Sequence, residues 1–185
     1  MKSNEFNKKE VPPRYAEANI ENIRQEISQI VKGACETKTM VHGMYIHGPV
    51  GVGKTYTAYA LLNYIRDQKL PVHLIKSSRI VEATKRSYKD NPSDTDAEEN
   101  YNLLNDIKKY TGLLIIDDIG SEKMTESSIA EYLSCIDHRY EWEYPTIYTS
   151  NLSLDELKMR VGDRLTSRIY ESCNIFLLSS PSKRK

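Results

Sequence analysis

Apolar positions along the chain follow two rhythms that alternate from one end to the other. Ile20, Ile23, Ile27, Ile30 and Val31 recur at helical spacing, predicting an amphipathic helix from Asn19 to about Lys32 that Gly33 stops. A short apolar run, Met44 to His47, reads as a strand that feeds a glycine-rich stretch. Thr55 to Arg66 follows as a helix with Ala58, Leu61, Leu62 and Ile65 inward, and Val72 to Ile75 as the next strand after Pro71. Residues 78–89 and 96–109 predict two helices separated by Asn91-Pro92-Ser93-Asp94. Leu113 to Ile116 is a continuous apolar run that ends in two aspartates, as a central parallel strand covered on both faces requires. The remaining elements are a helix from about Ser127 to Tyr140, a strand Thr146–Ser150, helices 153–160 and 163–171, and a last strand Ile175–Leu178.

Strands that alternate with helices predict an α/β domain: a doubly wound parallel sheet of five strands with helices on both faces. The 185 residues suffice for one such domain and not for two of ordinary size. Residues 1–13 are polar, close on Pro12-Pro13 and are expected to be a flexible leader. The folded domain is then expected over 14–180, and a basic tail over 181–185.

Composition narrows the partners. Lys plus Arg equals Asp plus Glu at 26 each, so nucleic-acid binding would need a local patch and not a global field. Cys35, Cys135 and Cys173 are dispersed, odd in number and without zinc-ligand spacing, which fits a reduced, cytoplasmic chain. No apolar run has the length of a membrane span.

The chemistry concentrates in Gly48-Pro49-Val50-Gly51-Val52-Gly53-Lys54-Thr55, a full match to G-x-x-x-x-G-K-[ST] set between a predicted strand and a predicted helix. Glycines there let backbone N–H groups curl around phosphates, and the helix start adds its positive end. Lys54 would reach the β- and γ-phosphates of ATP, and the Thr55 hydroxyl would ligate Mg²⁺. Tyr56 completes the loop's exit into the helix. Asp117 and Asp118, at the edge where open parallel sheets bind ligands, would hold Mg²⁺ and act on the attacking water respectively; otherwise they cap a loop. Asn151 ends the strand Thr146–Ser150, either as a turn residue or as a group that orients water. Arg164 and Arg168, four apart, share a helix face that is either solvated or reaches a neighbour's γ-phosphate.

These blocks resemble the DnaC/IstB-like branch of AAA+ ATPases, the bacterial and phage helicase loaders and transposition helpers. The resemblance runs from Val11-Pro-Pro-Arg-Tyr15 through Tyr45–Thr55, Leu113–Gly120 and Tyr148–Asn151 to Gly162–Ile169. It implies that Gly48–Thr55 is Walker A, that Asp117 and Asp118 are Walker B, and that Asn151 is sensor 1. It further implies that Arg168 is an arginine finger with Arg164 its companion, so that ATP is shared between subunits of an oligomer. Residues 77–109 match in place and size a helical insertion that contacts single-stranded DNA in this clade, with Arg79, Lys85, Arg86 and Lys89 as the basic side. A replicative helicase is the implied protein partner. Two departures stand out: about a dozen residues precede the domain, and no full C-terminal helical lid follows the last strand. Arg184 in the closing Lys-Arg-Lys would be a sensor-like residue or part of the basic tail.

Overall fold

The computed structural model describes residues 10–39, 42–87 and 95–179. Five strands, β1 (Gly43–His47), β2 (Val72–Lys76), β3 (Leu113–Asp117), β4 (Thr146–Ser150) and β5 (Cys173–Leu177), form one parallel sheet in the order β2-β3-β4-β1-β5. Seven helices connect them among the described residues: α1 (Gln25–Thr37), α2 (Lys54–Asp67), α3 (Ser77–Arg86), α4 (Thr95–Lys109), α5 (Glu126–Glu141), α6 (Leu154–Val161) and α7 (Asp163–Ser172).

The unbroken apolar run in β3 is explained by burial on both sides. Successive side chains of a strand point to opposite faces. Leu113 and Ile115 enter one core with Met44, Ile46, Ile147 and the inner faces of α1 and α2. Leu114 and Ile116 enter the other with Tyr45, Tyr148 and residues of α3, α4, α5 and α7. The predicted α/β doubly wound five-stranded sheet is therefore the observed architecture.

The first predicted helix needs correction. Asn19 accepts a bond from the Glu21 N–H and opens only a 3₁₀ turn, Ile20–Asn22. Ile23 and Arg24 are then extended, so the α-helix starts at Gln25. Gly33 does not stop it. One glycine costs roughly 1 kcal/mol against alanine, and the helix runs on to Thr37, where left-handed Lys38 (φ 54°) ends it. The Lys38 N–H then reaches Cys35 O, and the Thr39 N–H reaches Ala34 O.

Of the leader's described residues, Glu10, Pro12 and Pro13 are exposed and Val11 is half-buried. Pro13–Tyr15 is a 3₁₀ turn, Tyr15 stacks on Tyr59 with ring centroids 4.5 Å apart, and Val11 packs on the same core. Asn63 of α2 donates to Tyr15 O, Ala16 O and Ala18 O, fastening this segment to the side of α2. The last strand begins at Cys173, directly after α7. Residues 88–94, with Lys89, and residues 180–185, with Arg184, lie outside the described residues.

One arginine that periodicity does not single out holds the sheet's lower edge. Arg139 is 1% exposed. Its guanidinium donates to Ile107 O, Tyr110 O, Gly112 O, Pro145 O and Thr146 Oγ1. It thereby ties the end of α4 and the approach to β3 to the start of β4. Burial lowers its pKa to about 10.

Candidate functional site

Sheet order decides which loops meet. β4 lies between β1 and β3, so the residues that leave β4 stand between the glycine loop and the acidic pair. All five strands are parallel and present their C-terminal ends to one edge, where ligands of open α/β sheets bind.

The loop after β1 needs its glycines. Gly48 adopts φ +149°, and a Cβ there would sit 2.1 Å from the Leu178 carbonyl oxygen. Gly53 adopts φ +98° immediately before α2, a left-handed value that favours glycine. Pro49 and Val50 are exposed on the outside of the loop, Gly51 and Val52 are half-buried, and the Gly48 N–H is tied to Ser150 O at 3.3 Å. The Lys54 ammonium, 7% exposed, folds back to donate to Gly48 O at 2.7 Å and Pro49 O at 2.8 Å. Its charge is thus held over the loop at the start of a helix, where an anion is favoured. Tyr56 turns the other way. Its hydroxyl accepts from the Asn19 N–H and the Asn22 side chain, joining the lead-in segment to α2.

Across β4, the Thr55 hydroxyl lies 3.3 Å from both Asp117 carboxylate oxygens. Asp117 is 3% exposed and burial pushes its carboxyl pKa up. Hydrogen bonds from Thr149 and Thr55 oppose that shift, and the neighbouring Asp118 charge adds to it. A hydroxyl and a carboxylate are hard oxygen donors of the kind Mg²⁺ takes alongside phosphate oxygens and water. Among the described residues no cluster of three or more His, Cys, Asp or Glu would hold a metal ion by itself.

Asp118 is in the left-handed region at φ +64°, uncommon for a residue with a side chain. Four contacts hold it there. Its N–H donates to Thr149 Oγ1 at 2.9 Å, and its carbonyl accepts from Ser121 Oγ at 3.0 Å. Its Oδ1 accepts from Asn151 Nδ2 at 2.9 Å, and the next N–H, of Ile119, reaches Thr149 O at 2.8 Å. The acid and the amide are therefore joined, with Asn151 exposed at the site mouth.

Thr149 is the residue that sequence reasoning missed. Its hydroxyl accepts from Asp118 N–H and donates to Asp117 Oδ1 at 2.6 Å, so one buried side chain orients both acids. Ser150 does the equivalent one residue on, donating to Ile119 O at 2.7 Å and accepting from Leu152 N–H. The available signal was two polar residues at the end of an otherwise fully buried strand, where each hydroxyl must find a partner.

The arginines are elsewhere. Arg164 Nη2 lies 2.5 Å from Asp137 Oδ2 and Arg168 Nε lies 3.3 Å from Asp137 Oδ1; the Arg168 guanidinium stacks 4.5 Å over the Tyr140 ring. Among the described contacts neither arginine touches the glycine loop or the acidic pair of its own chain.

The basic side of α3 is partly engaged. Arg79 turns toward α4 and donates to Asn100 Oδ1 at 2.7 Å, while Arg86 pairs with Glu82 at 2.6 Å. Lys85 and Arg86 are exposed.

A glycine loop after β1, acids at the end of a β3 separated from β1 by β4, and a polar residue closing β4 define a P-loop ATP-binding domain of the AAA+ kind. Within that class the chain belongs to the IstB-like ATP-binding proteins, whose family model matches residues 33–185. The replicative helicase loader DnaI of Bacillus subtilis (strain 168) is 32% identical over 135 residues, which cover 72% of this chain and 40% of that protein. The replicative helicase loader DnaC of Escherichia coli (strain K12) is 26% identical over 173 residues, covering 89% of this chain and 67% of that protein. The replication initiator DnaA, solved with AMPPCP and single-stranded DNA, shares the fold. Its TM-score is 0.72 at 22% identity, over 92% of this chain and 51% of that one. The chain thus spans 40% of the DnaI loader's length. No helix among the described residues is long and apolar enough to cross a membrane.

Proposed function

We propose that this protein is an ATP-hydrolysing switch of the helicase-loader type, which assembles on single-stranded DNA with ATP and is released by hydrolysis. The observation that carries the ATPase reading is the joined set Thr55–Asp117–Thr149–Asp118–Asn151 facing Lys54 across one sheet edge.

In this reading the N–H groups of Gly48 to Thr55 cradle the triphosphate. Lys54 exchanges its two loop carbonyls for β- and γ-phosphate oxygens. Mg²⁺, held by Thr55 and through water by Asp117, would offset charge on the β- and γ-oxygens. Asp118 accepts the proton of the attacking water through the oxygen that Asn151 leaves free. A new O–Pγ bond forms, the bond from Pγ to the bridging oxygen breaks, and ADP leaves with that electron pair. Asn151 holds the acid and the water in line. Arg168, with Arg164 beside it, supplies positive charge to the γ-phosphate of a neighbouring subunit. Such a group is worth on the order of 10³–10⁵ in rate.

Residues 14–180 form the ATPase domain in this proposal, with 77–109 as its DNA-facing insertion. Lys85 and Arg86 are the exposed cations there that suit a phosphate backbone. Arg79 contributes by joining α3 to α4. The helicase loaders among the relatives, and DnaA with its bound single strand, support a replicative helicase and single-stranded DNA as partners; a cytoplasmic location belongs to the same proposal.

The test is ATP turnover with single-stranded DNA, duplex DNA or neither, followed over protein concentration. Turnover per chain should rise with concentration and with single-stranded DNA, and Lys54→Ala should abolish nucleotide binding. Unchanged affinity and turnover in Lys54→Ala would overturn the site. Stimulation by duplex DNA alone would favour the second reading, a transposition-type helper, which the IstB-like family match supports. Binding without hydrolysis under all conditions would leave a nucleotide-dependent interaction module.

A further inference from the structure

Asp137 has no place in the chemistry above, yet it is the residue through which both interface arginines are held. It sits on α5, 7% exposed, facing α7. Its two carboxylate oxygens are divided between two cations, Oδ1 to Arg168 Nε and Oδ2 to Arg164 Nη2. One turn along α5, the Tyr140 ring lies under the Arg168 guanidinium, and the Tyr140 hydroxyl is in turn bonded to Glu171 Oε2 of α7. Resting on the shared-site reading, we infer that Asp137 and Tyr140 form a cradle that positions Arg168 and Arg164 for the phosphates of the neighbouring subunit.

Three features of the geometry lead there. A guanidinium has five N–H donors, and Asp137 takes the Nε edge of Arg168 and one Nη of Arg164, so the outer N–H groups remain for a second anion. Two arginines four apart on one helix repel each other. One buried carboxylate between them offsets that repulsion; Glu171, whose charge also acts on Arg168, is engaged by the Tyr140 hydroxyl. Exposure grades across the set in the order a presented edge needs: Asp137 at 10%, Arg168 at 32% and Arg164 at 66% by side chain. A rotamer-rich side chain loses freedom when it binds, and a cradle that has already ordered it removes that penalty from the transition state. Asp137 is thus a positioning residue, acting through the arginines and touching no nucleotide.

The test is complementation between variants in DNA-stimulated turnover. Asp137→Asn keeps the shape and removes the charge. It should lower turnover about tenfold, the ordering penalty of one or two such side chains, with ATP affinity within about twofold of wild type. An equal mixture with Asp118→Asn, which keeps an intact arginine edge, should raise turnover per Asp137→Asn chain severalfold. A mixture with Arg168→Ala should not, because both partners then lack the same edge. A merely structural role would not produce this pattern. Tyr140→Leu, which removes the ring and leaves the ion pairs, should behave alike and serves if Asp137→Asn does not fold.

Wild-type turnover in both cradle variants would overturn the inference. So would loss of turnover that Asp118→Asn cannot restore while the same partner restores Arg168→Ala. If Arg168→Ala is not restored either, the shared-site reading falls and the inference with it.

Discussion

Replacing Thr149 by valine isolates the hydroxyl that joins the two acids. The side chain is 1% exposed, and valine fills nearly the same volume, so the change removes two hydrogen bonds and little else. The bond to Asp117 is made to a carboxylate and contributes about 1.5–3 kcal/mol; the Asp118 N–H left without its acceptor costs about 1–3 kcal/mol. Valine's extra apolar burial returns roughly 1 kcal/mol. The net loss is about 1.5–5 kcal/mol, a sizeable part of the 5–15 kcal/mol typical of a folded domain. At about 2–4 °C per kcal/mol for a chain of this size, the melting midpoint should fall by roughly 3–20 °C. Urea unfolding of wild type, Thr149→Val and Thr149→Ser measures it directly. Serine keeps the hydroxyl and should lie within about 1.5 kcal/mol of wild type. The valine protein should also lose most of its ATP turnover, because Asp118 is held left-handed partly by this bond. A valine variant within 1 kcal/mol of wild type, or a serine variant no better than valine, would refute the reasoning.

Two further outcomes follow from buried charge. Arg139→Met strands several backbone carbonyls beneath β4 and should destabilise by roughly 3–5 kcal/mol; Arg139→Lys should recover little, since one ammonium cannot span five acceptors, and calorimetry of both variants checks this. His73 is held at a pKa of about 4 by burial and by the nearby Arg66 charge, below its ordinary 6.5. Between those values the unfolded chain binds more protons than the folded one. Stability should therefore fall as pH drops from 6.5 toward 4, by up to roughly 3 kcal/mol. His73→Leu should flatten that fall in a comparison of unfolding at pH 7 and pH 4.5, and parallel curves for the two proteins would show that burial does not hold His73 neutral.

Much of the fold could be read because its signals are local. The apolar run of β3 can bury both faces only inside a two-sided sheet, and the glycine loop has to join a strand to a helix. Tertiary contacts moved the boundaries. Gly33 marks a stop by propensity, yet the helix around it is carried through by packing of Val31 and Cys35 against the core. The contacts that fasten the chain just after residues 10–13, the Tyr15–Tyr59 stack and the Asn63 bonds, join residues far apart along the chain and are invisible to local pattern.

The site divides along the same line. Lys54, Thr55, Asp117 and Asp118 are named by motifs because phosphate and metal chemistry fixes both residue type and spacing. Thr149 and Asp137 carry no motif: each acts by facing another side chain, 32 and 31 residues away respectively. Thr149 could still have been suspected, since a hydroxyl at a fully buried strand position must bond to something. Asp137 could not. On a helix that shows charges on its outer face, an aspartate looks solvated until the fold places α7 against α5 and two arginines close over it. The acids at the sheet edge need only strand order to meet, because β4 separates β1 from β3 by one strand width. The arginine edge needs the packing angle of two helices and, in the proposed function, a second chain. That difference in how many long-range contacts must be satisfied is why local motifs single out the glycine loop and the two acids, while Arg164 and Arg168 stand out only through the family resemblance and Asp137 not at all.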